Sequence, residues 1–139
     1  MGLSNEAREQ HIESLDTEAR LRLGADLYNA EHFWHAHEAW EAIWLDAPAP
    51  LRDFYQGLIQ VAAAFVHVKR NEYPGSVRLL DAGIAKLARY GASQEGVELA
   101  PFVGGARRAR ETLLSLGEKR IAEFDHALFP PVVLNSAAS

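Results

Sequence analysis

The chain has 139 residues, 48% hydrophobic and 24% charged, which is the size and composition of one globular domain able to bury a core. Its net charge is −5, so broad nonspecific affinity for nucleic acid or an anionic membrane, which needs an excess of Lys and Arg, is not expected. Cysteine is absent, which excludes disulfides, thiolate metal sites and cysteine nucleophiles and leaves only His, Asp, Glu or Gln to hold a metal.

Taken along the chain, the pattern is helical, because β-branched residues are scattered and no apolar/polar alternation persists. A short polar helix is expected over residues 5–13, with Ser4 as a cap. A firmer one follows over 17–29, capped by Asp16, with Glu18 in its first turn and Leu21, Leu23, Leu27 and Tyr28 as its apolar positions. After a break at 30–32, an aromatic helix is expected over 33–46. Ala47-Pro48-Ala49-Pro50 ends it, since proline lacks a backbone donor and disfavours helix in the residue before it.

Residues 51–71 form a long helix that is apolar nearly all round and therefore central. Asn71-Glu72-Tyr73-Pro74-Gly75 reads as a turn, and Val77, Leu80, Ile84 and Leu87 set an amphipathic helix over 76–90. Residues 91–101 read as a loop, with a turn of helix over 95–99 as the alternative. A last helix is expected over 103–124, whole or divided near Gly117, and the 129–139 tail, with Pro130 and Pro131, as an extended strap or an unstructured end. The expected architecture is all-α: a compact antiparallel helical bundle of five or six helices forming one domain. No stretch approaches the roughly 20 apolar residues of a membrane span, and the N-terminus lacks a basic region followed by an apolar one, so a cytoplasmic location is expected.

The densest chemistry lies in Phe33-Trp34-His35-Ala36-His37-Glu38-Ala39-Trp40-Glu41-Ala42-Ile43-Trp44, which holds all three tryptophans. At about 100° per residue, Phe33, Trp34, His37, Trp40, Glu41 and Trp44 share one side of the helix, which places His37 and Glu41 among aromatic rings. Two of the tryptophans are expected in the core. His35 falls on the opposite side and reads as solvent-facing. In the central helix Asp53, Gln56, Gln60, His67 and Arg70 fall within about a third of the circumference. Alone, such a stripe faces water. With the two helices packed antiparallel, it brings His67 toward His37 and Glu41 and creates an interhelical polar pocket.

Three uses follow for those groups. His37, Glu41 and His67 are candidate ligands for a divalent metal ion, with positions left open for water or substrate. Without a metal, His37 or His67 is a candidate general base oriented by Glu41, beside Glu38, Trp40, Gln56, Gln60 and Arg70 as ligand-binding groups, in a candidate hydrolytic site. In the third, the cluster is a structural network inside a noncatalytic scaffold or protein-interaction module. The run Arg107-Arg108-Ala109-Arg110, with Lys119 and Arg120, reads as a solvated helix face in an acidic chain, so nucleic acid is not an expected partner. The tryptophan-rich face and residues 129–134 offer apolar surface to a homodimer, although an internal core accounts for the same residues.

The run Leu27-Tyr28-Asn29, then Phe33-Trp34-x-Ala36-His37-Glu38-x-Trp40-Glu41-x-x-Trp44, then Phe54-Tyr55-Gln56-Gly57-Leu58-Ile59-Gln60-x-Ala62-Ala63 with His67 and Arg70, resembles domain-of-unknown-function family 309. These are small all-helical bacterial and archaeal proteins. The resemblance spans about residues 17–90 and places the family pattern on His37, Glu38, Trp40, Glu41, Gln56, Gly57, Gln60 and His67. It implies an antiparallel helical fold that brings these groups together. Where members usually have Gly before the paired aromatics this chain has Glu31-His32, and residues 91–139 lie outside the pattern. The family carries no established activity, so the resemblance implies a fold and no reaction.

Overall fold

A computed structural model describes residues 5–135, and the Ser4 cap and the end of the tail fall outside them. Six α-helices run in chain order: α1 Asn5–Ser14, α2 Thr17–Asn29, α3 Phe33–Trp44, α4 Ala49–Lys69, α5 Tyr73–Leu87 and α6 Leu99–Arg120. Between α5 and α6 sits a small hairpin, β1 Ser93–Gln94 and β2 Val97–Glu98. The described residues are thus predominantly helical, packed as an antiparallel bundle in which α2 to α6 each contact the next.

Local chemistry explains the boundaries. Asp16 accepts a hydrogen bond from the Ala19 amide at 2.8 Å and caps α2. The turns into α3 and α5 pass through left-handed Glu31 (φ 64) and Asn71 (φ 58). Prolines account for three shifts from the expected bounds. Pro50, Pro74 and Pro101 each lie within the first turn of α4, α5 or α6, where no intrahelical N–H bond is lost, so these helices begin earlier than a reading of proline as breaker suggests. The 91–101 loop closes into the hairpin because Glu95 (φ 52) and Gly96 (φ 79) are both left-handed, the geometry of a two-residue turn whose twist matches its strands. Gly117 (φ 70, ψ −177) divides α6 near its end.

Close contact between helices depends on missing side chains. The fully buried Trp40 indole lies on Gly24 of α2 and donates to the Leu21 carbonyl at 3.2 Å. Gly57 and Gly83 face each other where α4 crosses α5, and a Cβ on Gly83 would stand 2.9 Å from the Gly57 carbonyl oxygen. α4 is the central helix: Phe54, Leu58, Val61, Ala62, Ala64 and Phe65 have no exposed surface. Around Phe65 and Tyr28 gather Phe33, Phe102 and Phe129 with ring centroids 4.8–6.3 Å apart.

The tail is a strap over residues 129–135. Asn29 donates to the Val132 carbonyl (2.8 Å) and accepts from the Val132 amide (2.9 Å), Pro130 seats on Gly105, and Leu134 bridges Val97 of the hairpin. Phe129 and Val132, offered above as dimer surface, are committed to the core of their own chain. At the other end α1 contributes one buried apolar side chain, Ile12, and Arg20 ties it down by donating to the carbonyls of Ile12 (3.0 Å), Glu13 (3.1 Å) and Ala42 (3.3 Å). Among the described residues no helix is long and apolar enough to cross a membrane.

Candidate functional site: a groove between α1 and α3

The aromatic face of α3 is about 120° wide, more than one helix neighbour covers, and its two edges go to different places. Phe33 and Trp40 turn into the core, and Trp44 lies half-buried beneath the Arg52 guanidinium at 4.8 Å. Trp34, His37, Glu38 and Glu41 turn instead toward α1. Trp34 remains 53% exposed and stacks on the His37 ring, centroids 5.1 Å apart at 24°. His37 Nε2 meets Glu41 Oε2 at 3.1 Å, one helical turn on, while its Nδ1 is enclosed without a partner. His35 is half-buried rather than free in solvent, with its Nδ1 3.0 Å from Glu38 Oε1.

These groups border a cavity of about 500 Å³ between the two helices, to which α1 adds Glu9, Ile12 and Glu13. Glu9 and Glu13 escaped the sequence reading, although their i, i+4 spacing beside Ile12 marks one face of α1. Four carboxylates therefore line the cavity that the exposed indole borders.

The shared pocket expected between α3 and α4 does not form. The two helices are antiparallel as expected: Lys69, late in α4, pairs with Glu31 just before α3 at 3.2 Å and lies 5.7 Å over the Phe33 ring. The polar stripe of α4, however, runs along its outer side, bracketed by Val66 and Arg52 toward α3 and by Gly57 and Val61 toward α5. His67 sits at the α4–α5 turn, its Nδ1 2.8 Å from Glu72 and its ring against Gly75, while Asp53 pairs with Arg89 at 2.8 Å. Gln56 and Gln60 are half-buried, with Gln60 Oε1 enclosed and unpartnered, and exposed Arg70 borders a shallow depression with Trp34 and His35.

His37, Glu41 and His67 thus do not assemble as a metal-ligand set, and no group of three His, Asp or Glu among the described residues is placed to hold a metal ion. The reason is angular: His37 turns from α3 toward α1 and His67 from α4 toward α5, so the two imidazoles diverge from the interface their helices share. Trp40, expected beside a ligand, is a core residue.

Residues 21–79 match DUF309, a domain of unknown function. The DUF309 segment takes in most of α2, all of α3 and α4, and the first half of α5, the stretch that carries both polar motifs. It leaves out α1, the hairpin, α6 and the strap, so the acidic half of the groove contributed by Glu9 and Glu13 lies outside DUF309. No curated protein and no solved structure matches the chain.

Proposed function

We propose that this protein is a noncatalytic binding module that receives a basic segment of a partner protein in the groove between α1 and α3. The observation that carries the reading is Trp34, a large apolar side chain held 53% exposed by its stack on His37, inside a cavity bordered by Glu9, Glu13, Glu38 and Glu41. An indole face attracts a Lys or Arg side chain through its quadrupole, and surrounding carboxylates favour the same charge while disfavouring acidic competitors. Hydrolytic chemistry through His37 has less support. A general base must present a free lone pair to its substrate, whereas Nε2 of this imidazole already faces Glu41 and Nδ1 is enclosed.

Titration of the protein with a decalysine peptide, followed by amide chemical shifts and Trp fluorescence, tests the reading. The expected result is a set of shifts confined to residues 9–13 and 34–45 that weakens with salt and disappears in Glu38→Lys/Glu41→Lys. Replacing Trp34 by Ala should weaken binding about fivefold, the value of a semi-exposed cation–π contact near 1 kcal/mol. Shifts spread evenly over the surface, or binding indifferent to both variants, would overturn it.

A further inference from the structure

A second cavity lies away from that groove, between the start of α2, the turn of the hairpin and the strap, with a volume of about 310 Å³. We propose that it binds a small zwitterion of the amino-acid type. Tyr55 supplies the first argument. The residue is only 2% exposed, yet its hydroxyl makes no hydrogen bond to any described residue. Unlike the Tyr28 hydroxyl it is not enclosed, so the accessible tip of Tyr55 opens into the cavity the residue lines. A ring buried up to an accessible hydroxyl that no described residue engages presents one fixed polar group to whatever enters the cavity.

The rim supplies the second argument. Arg22 lines the same cavity, exposed and with no hydrogen bond or ion pair to any described residue, while Glu18 and Glu95 bring carboxylates to it. Leu21 and Leu134 form its apolar walls. A site holding one guanidinium, one phenol donor and two carboxylates suits a ligand that carries both signs. Its carboxylate is received by Arg22 and the Tyr55 hydroxyl, its ammonium by Glu95 or Glu18, and its apolar side chain by the leucines. Burial, and then the Glu95 charge, push the Tyr55 phenol up to about 12, so it stays a proton donor at neutral pH. The volume is at the small end of ligand sites, roughly 300–1,000 Å³, which fits a single amino acid better than a nucleotide.

The test is an amide chemical-shift titration of the full chain with L-leucine, alongside 4-methylpentanoate, which lacks the amine, and 3-methylbutylamine, which lacks the carboxylate. Saturable shifts are expected at residues 17–22, 94–97 and 134–135 with L-leucine, and much weaker ones with either analogue. Tyr55→Phe, which keeps the ring against Phe54, should weaken binding about tenfold, and Arg22→Gln at least as much, with thermal midpoints unchanged. Glu41→Lys in the other groove should leave it untouched. Absence of saturable shifts up to about 10 mM L-leucine, below the weakest useful affinity, would overturn the proposal. So would equal binding of 4-methylpentanoate, or full binding by both variants.

Discussion

Replacing Gly24 by Ala probes the contact that fixes α3 on α2. A methyl there would stand 2.1 Å from Trp40 Nε1 and 2.5 Å from Cδ1, where non-bonded carbon contacts are most favourable near ~3.5 Å. Trp40 has no exposed surface and so no space to swing into, and moving it also breaks the 3.2 Å bond to the Leu21 carbonyl. Overpacking of this kind costs about 2–3 kcal/mol and the lost hydrogen bond about 1, partly offset by about 1 kcal/mol from replacing Gly inside a helix. The net expectation is a loss of about 2–3 kcal/mol, a fall in Tm of roughly 6–12 °C for a chain of this size. Calorimetry with parallel Trp fluorescence measures it, and adding Trp40→Phe, which shortens the ring system, should recover part of the loss. A Gly24→Ala protein as stable as the parent, or more so, would refute the reasoning, because the gain in helix propensity would then match or exceed the cost of the clash.

Tyr28 lies in the aromatic core with its hydroxyl enclosed and unpartnered, so Tyr28→Phe is expected to leave stability unchanged or raise it by about 1 kcal/mol; a loss of that size in chemical denaturation would mean the hydroxyl has a partner. Burial raises the Tyr28 pKa well above 10.0, so the folded chain keeps a proton that the unfolded chain gives up. Stability held below pH 10 should therefore fall above it, by up to about 1.4 kcal/mol per pH unit, and Tyr28→Phe should flatten that slope. Asn29→Ala removes both hydrogen bonds to Val132 and should cost about 1–3 kcal/mol, with faster hydrogen exchange over residues 130–135 while α3 and α4 keep their protection; unchanged exchange in the strap would count against the clamp.

The helical pairs were legible because they rest on local chemistry. The Asp16 cap, the periodic leucines of α2 and α5 and the all-round apolar α4 appear where the spacing puts them. Prolines misled at three helix starts because the same residue that stops one helix is tolerated in the first turn of the next, and the sequence does not say which role applies. The candidate site was half legible. The helical angle puts Trp34, His37, Glu38 and Glu41 on one arc, but it equally admits Trp40 and Trp44, and it is silent on which neighbour each edge meets.

Composition and periodicity by themselves determined a predominantly helical chain, its central helix and the chemistry of its richest segment, because these depend on residues within a few turns of one another. The tertiary structure alone decided that His37 and His67 part company, that Glu9 and Glu13 complete the acidic groove, and that Asn29 holds Val132 across the chain. Each of those outcomes depends on how a helix is rotated about its own axis against its neighbours. That rotation is set by the fit of Trp40 on Gly24 and of Gly57 on Gly83, long-range contacts that leave no local periodic signal.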